Sequence, residues 1–227
     1  MTSAPAYVDA TGDLWIAVDQ TVYRVPASGG ECSYDVKDRV TTDLMKNEGE
    51  TALFFGTQSG LLYALDLASK ASTCTKLADT APLRSVVGMS VVSRDDDAAI
   101  YVADDIGETA RIEYDHGRGF RNTKVSPRGL QLLSVATAPA VLPNAGGDDA
   151  LVVFVVGEKR DGRTIRRVLQ ACDRDLEKYE TVTVWGTPVS FLFKPEEGGT
   201  APASLLRPIV DPETFTLLAA SSDGHLY

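Results

Sequence analysis

A chain of 227 residues with 32 acidic and 22 basic side chains carries a formal net charge of −10, and its average field opposes docking onto phosphate backbones or anionic lipid. Its 44% hydrophobic and 24% charged residues are those of a globular protein that can bury a core without staples. Nucleic acid is therefore not expected as a general partner, and no segment approaches 18 unbroken apolar residues, so no membrane-spanning helix is expected either.

The N-terminus, Met1-Thr2-Ser3-Ala4-Pro5-Ala6-Tyr7, has neither a basic n-region nor an apolar h-region. It reads as the start of a soluble, cytoplasmic chain, or of a periplasmic or secreted one whose signal peptide has been removed. Next comes a phrase that recurs along the chain: a hydrophobic run ending in a small residue, a polar turn, and a second hydrophobic run. Leu14-Trp15-Ile16-Ala17 precedes Thr21-Val22-Tyr23-Arg24-Val25, and Leu53-Phe54-Phe55-Gly56 precedes Leu61-Leu62-Tyr63-Ala64-Leu65-Asp66 across the turn Thr57-Gln58-Ser59-Gly60. Ile100-Tyr101-Val102-Ala103 precedes Ala110-Arg111-Ile112-Glu113-Tyr114, and Val152 to Gly157 precedes Thr164 to Leu169. Leu217-Leu218-Ala219-Ala220 precedes His225-Leu226-Tyr227.

The small residues Ala17, Gly56, Ala103, Gly157 and Ala220 are spaced by 39, 47, 54 and 63. The early spacings are those of four-stranded radial units of roughly 40 to 50 residues. The later ones carry insertions at Asn144 to Asp149 and at Glu196 to Thr200. In the third repeat the innermost strand is expected over Val86 to Val92, a turn at Arg94 to Asp97, then strands from Ala99, through Ile112, and near Arg121 to Val125. Leu132 to Val141 and Leu205 to Val210 read as innermost strands of the next two units, apolar enough to be buried on both faces. Helix is expected to be scarce, with one candidate turn over Asp173 to Tyr179.

The expected fold is all-β: a single β-propeller of about five four-stranded blades, at roughly residues 4–42, 43–82, 83–129, 130–187 and 188–227, or a fragment of a larger propeller. A β-sandwich or irregular barrel is the rival architecture. Tyr227 falls inside the third strand of the last unit, so either Ala4 to Val8 supplies the missing edge or the chain is part of a longer ring.

Gly56 to Asp66 resembles the repeat of quinoprotein-like (PQQ-repeat or WD40-like) β-propellers, in which a Gly-containing turn leads into a Leu-Tyr-Ala-Leu-Asp strand. Ser222-Asp223-Gly224-His225-Leu226-Tyr227 is similar to a shortened copy. Gly12-Asp13-Leu14-Trp15-Ile16-Ala17 is similar to the Gly-x-Leu-Trp opening of several bacterial propeller families. The resemblance implies a propeller. The stretch Ala68 to Cys74 lacks the blade-docking Trp of the quinoprotein pattern, and no cofactor is expected.

Cys32, Cys74 and Cys172 are an odd number without metal or redox spacing. Each follows the second hydrophobic run of its repeat, and such positions on neighbouring blades would sit too far apart to bridge. Small apolar filling in a reducing compartment is the expectation. A nucleophilic triad would have to use His116, on a turn, or His225, on a strand. The carboxylate groups Asp95-Asp96-Asp97, Asp104-Asp105 and Asp148-Asp149 lack the spaced pattern of a calcium loop, and no metal site is expected. The basic stretch from Lys159 to Arg167 reads as a solvated hairpin end able to hold an anion. Trp15 reads as core and Trp185 as a blade-junction cap.

What remains is the loop face. Turns between second and third strands, with the connections from blade to blade, would bring together Arg39, Gln58, Asp104, Asp105, Arg128, Trp185 and Asp223. Mixed charge with one aromatic suits a protein or peptide partner better than an apolar small molecule. The expected function is a noncatalytic binding or scaffolding module, part of a larger assembly. The alternatives are a quinoprotein or lyase-like propeller enzyme and a carbohydrate-binding propeller lectin.

Overall fold

The computed structural model describes residues 7–68, 74–104, 106–125, 132–135, 140–142, 152–161, 164–177, 179–181, 183–184, 187–188, 209–211 and 216–218. The chain forms two compact units, Met1–Asp104 with Ala110–Val125, and Asp105–Thr109 with Ser126–Tyr227. No helix occurs among the described residues, and the Asp173 segment is a turn closed by the Leu176 amide on the Asp173 carbonyl.

The first unit is built of three antiparallel four-stranded sheets, each with its strands in chain order. The first holds β1 (Tyr7–Val8), β2 (Leu14–Val18), β3 (Thr21–Val25) and β4 (Cys32–Asp35). The second holds β5 (Met45–Lys46), β6 (Ala52–Gly56), β7 (Leu62–Asp66) and β8 (Lys76–Thr80). The third holds β9 (Gly88–Arg94), β10 (Asp97–Ala103), β11 (Thr109–Asp115) and β12 (Gly119–Val125). β1 is thus the first strand of its own sheet, with Tyr7 opposite Trp15. β9 starts two residues later than the sequence pattern suggests, because Val86 and Val87 donate their amides to the Thr57 and Ala103 carbonyls.

The second sheet is apolar on both alternations, and the reason lies in its packing. Every residue of β6 is buried. Leu53 and Phe55 join Tyr63 and Leu65 in a cluster with Trp15, Ala17 and Val22 of the first sheet. Ala52 and Phe54 join Leu62 and Ala64 against Ile100, Val102, Ile112 and Tyr114 of the third. Phe54 meets Tyr114 edge-on at 4.9 Å, and Phe55 stacks on Tyr63 at 5.2 Å. Burying these aromatic faces contributes several kcal/mol per ring. The connection into β9 approaches so closely at Gly56 that a Cβ there would lie 2.7 Å from the Val86 Cβ. That approach is why the repeat ends in a small residue.

At one end of the sheets, buried polar groups hold the connections between first and second strands. Asp9 accepts from the Thr11 and Asp13 amides and from Trp15 Nε1 at 3.0 Å. Asp13 accepts from the Ala27 amide at 3.0 Å and from Arg24, whose guanidinium lies 5.3 Å from the Trp15 ring centre. The Ala27 amide and the Arg24 side chain hold the Asp13 carboxyl below its usual range. Burial alone would raise Asp9, but its hydrogen bonds from Thr11 and Trp15 outweigh that and lower it. The next connection, Asn47 to Thr51, reaches both neighbours. Asn47 Nδ2 donates to the Asp96 carbonyl at 2.8 Å, and Glu50 accepts from Tyr7 Oη and the Ala10 amide.

The cysteines depart from expectation. Cys32 and Cys74 form a disulfide with their Cα atoms 5.6 Å apart. Cys32 opens β4, and Cys74 lies in the long connection between β7 and β8. Leu67 is buried in the cluster shared with the first sheet, and Cys74 packs on the same cluster. A tight hairpin would have kept the two outer strands apart. Cys172 is a free, buried thiol that burial pushes up to about 12.

In the second unit a five-stranded sheet is centred on a long hairpin of β15 (Val152–Asp161) and β16 (Thr164–Cys172). β13 (Leu132–Val135) and β14 (Ala140–Leu142) both pair with β15, and β17 (Tyr179–Thr181) pairs with β16. Two short hairpins follow, β18 (Thr183–Val184) with β19 (Thr187–Pro188) and β20 (Ile209–Asp211) with β21 (Thr216–Leu218). Leu205 to Pro208, expected to open an innermost strand, lie outside the described residues.

Phe54→Ala should destabilise the protein by about 3–5 kcal/mol in urea denaturation, because both neighbouring sheets limit collapse of the cavity. Asp13 has a lowered folded-state pKa, so its contribution is present above the unfolded value of 3.8 and lost as pH falls through the folded one. Thermal melts of the wild type should therefore fall steeply below about pH 4, and Asp13→Ala should flatten that acid limb while lowering stability at neutral pH. Under denaturing but non-reducing conditions, iodoacetamide should label Cys172 alone; label on Cys32 or Cys74 would remove the bridge.

Candidate functional site

The opposite end of the first unit's sheets is held mainly by main chain. The Val36 and Val40 amides donate to the Gln20 and Asp19 carbonyls in the turn between β2 and β3, at 2.9 and 2.8 Å. Thr41 N donates to the Gly56 carbonyl at 3.0 Å, and Gln58 N to the Arg39 carbonyl at 2.9 Å. Val86 N then bonds the Thr57 carbonyl at 3.0 Å and Val87 N the Ala103 carbonyl at 2.9 Å. One backbone ladder thus runs from the first sheet's turn to the end of β10.

The turn at its centre has specific local causes. Thr57 is fully buried, and its hydroxyl bonds the main chain of Leu61. Gly60 has φ of 90° and sits against the next connection, where a Cβ would lie 2.9 Å from the Arg84 carbonyl carbon. Asp38 accepts from the Ser59 amide at 2.9 Å and from its hydroxyl. Although burial raises the Asp38 pKa, the Ser59 and Thr57 hydroxyls hold it below the usual range, so the carboxylate stays ionised and occupied by the turn.

Of the residues expected on this face, the structure brings two together. Arg39 and Gln58 are both exposed and are joined by the amide-to-carbonyl bond between them. Asp104 follows β10 at the same end, but it is wholly buried and does not offer its carboxylate to solvent. Asp105, Arg128, Trp185 and Asp223 lie outside the described residues. Sequence reasoning missed Lys37, Ser59, Arg84 and Val87, which are exposed along the same ladder. Their signal was position: each lies in a sheet-to-sheet connection or in the Thr57–Gly60 turn. His116 is exposed on the turn after β11, and its amide bonds Asp97 at 3.2 Å. Trp15 is fully buried and hydrogen-bonded to Asp9, a core residue as expected.

No protein-family model and no curated protein matches the chain. Solved structures do. The WD40 repeats of RRP9 match at a TM-score of 0.55 and 14% identity, over 83% of this chain and 53% of that one. The Dos1 propeller matches at 0.57 and 17%, over 97% and 51%. The β-propeller domain of Nup133 from Vanderwaltozyma polyspora matches at 0.58 and 9%, over 97% and 67%. The fold is a β-propeller. Its three sheets in the first unit are blades, and the chain spans about half the length of the RRP9 and Dos1 structures.

A side chain at position 60 would meet both a positive φ and the Leu83–Arg84 backbone. Gly60→Ala should therefore cost more than 1 kcal/mol in chemical denaturation, about the strain of a left-handed non-glycine residue plus the displacement of the neighbouring connection.

Proposed function

We propose that this propeller is a noncatalytic binding and scaffolding module that recognises a protein or peptide through its loop face. The observation that carries the reading is the division of labour at that face. Main-chain bonds hold the connections in place, while the side chains of Lys37, Arg39, Gln58 and Arg84 remain exposed. A recognition surface needs that combination, since ordering loops on binding weakens affinity. Mixed polar chemistry around exposed Val87 suits a peptide backbone with charged side chains.

The rest of the reading follows from the same residues. Gly56 to Asp66 supports a quinoprotein-like variant of the propeller repeat. Membership of a larger assembly accords with a platform role. The Cys32–Cys74 bridge favours an oxidising compartment, the periplasmic or secreted alternative, over a reducing cytoplasm.

A peptide library displayed on phage and panned against the intact protein should yield a family of related sequences. Arg39→Ala combined with Gln58→Ala should weaken the selected peptide at least tenfold by fluorescence anisotropy, with the melting temperature within about 2 °C of wild type. Absence of enrichment, or equal binding by the double variant, would remove the loop face from consideration.

A further inference from the structure

The acid excess of this chain reverses locally along one hairpin. Residues 158–167, Glu158-Lys159-Arg160-Asp161-Gly162-Arg163-Thr164-Ile165-Arg166-Arg167, contain five cations and two acids. That is a local charge of +3 in a chain of −10, which leaves −13 on the other residues.

The register places Glu158 to Asp161 and Thr164 to Arg167 at the end of one hairpin. β15 and β16 pair without interruption from Val153 opposite Cys172 to Asp161 opposite Thr164. Lys159 stands directly opposite Arg166, and Glu158 opposite Arg167. On the other edge of β15, β13 pairs Leu132 with Lys159 and Ser134 with Glu158, so the charged half is a built part of a sheet.

The two halves of the hairpin follow different rules. Near its base, Val153 to Val156 with Val168 and Leu169 are apolar on both alternations, the pattern of a sheet covered on both faces. Beyond Gly157 both alternations are charged. Lys159, Asp161 and Arg166 share one face, and Glu158, Arg160 and Arg167 share the other. Like charges directly opposite destabilise a strand pair, and their residues stand only about 5 Å apart. A carboxylate laid across Lys159 and Arg166 would relieve that repulsion.

We propose that the end of the β15–β16 hairpin is a docking site for an Asp/Glu-rich segment of a protein partner. A short acidic segment confines its charge to the hairpin end. A nucleic acid carries closely spaced phosphates past it, onto a chain whose remaining charge is −13. The site uses none of the loop-face residues of the first unit, so it stands or falls apart from them.

The test is fluorescence anisotropy of the intact protein with three labelled probes: an alternating Glu-Asp decapeptide, its Gln-Asn counterpart and a single-stranded RNA dodecamer. The acidic peptide should bind, should weaken several-fold between about 50 and 300 mM salt, and should bind at least tenfold more weakly to a Lys159→Gln, Arg166→Gln, Arg167→Gln variant. Arg166→Lys, which keeps the charge, should retain binding, and Arg39→Ala with Gln58→Ala should leave it unchanged. Three results would overturn the proposal: no binding of the acidic peptide, equal binding by the neutralised variant with an unchanged melting curve, or tighter binding of the RNA through the same residues.

Discussion

Burial of the second blade on both faces is the constraint from which the rest of the first unit follows. In β6, Leu53 and Phe55 serve one interface while Ala52 and Phe54 serve the other. A one-residue slip would exchange the two sets and put each aromatic ring in a space shaped for another. The same closeness dictates small residues at the ends of the second strands. Gly56 is held against Val86, and Ala17 and Ala103 are fully buried. Because interiors pack densely, the blades keep their spacing only while these positions stay small.

Polar groups then fix what apolar packing leaves free. Sheet-on-sheet contact is tolerant of sliding, whereas a hydrogen bond is not. The Asn47–Thr51 turn bonds both neighbouring blades, through Glu50 to Tyr7 and Ala10 and through Asn47 to Asp96. Asp9 and Asp13 do the same within the first blade around Trp15 and Arg24. The Cys32–Cys74 bridge closes a 42-residue separation, which in the chain-entropy account contributes about 4 kcal/mol by restricting the unfolded chain.

The two ends of the blades differ in how they spend their side chains. Where first and second strands connect, acids and amides are consumed by internal bonds. Where second and third strands connect, the backbone does the holding, and Lys37, Arg39, Gln58 and Arg84 stay exposed.

The strands and their repetition were legible in the sequence, because alternation, the small terminal residue and Gly turns are local properties. The third blade shows how far that goes. Its four strands fall within a few residues of the pattern, and the shift of β9 arises from bonds to Thr57 and Ala103, which no local rule contains. Arg39 and Gln58 were recognisable as loop residues of one face. The burial of Asp104 was not, since exposure is set by what packs over a residue and a pair of adjacent acids reads as a solvated turn. Nor was the Cys32–Cys74 bridge, since spacing along the chain says nothing of which residues of neighbouring blades meet. The sequence by itself determined the all-β class, the register of the repeats and the acidic charge with its local basic stretches. Only the tertiary structure decided which cysteines meet, which acids are buried and which loops share a face, because those depend on contacts between residues far apart in the chain.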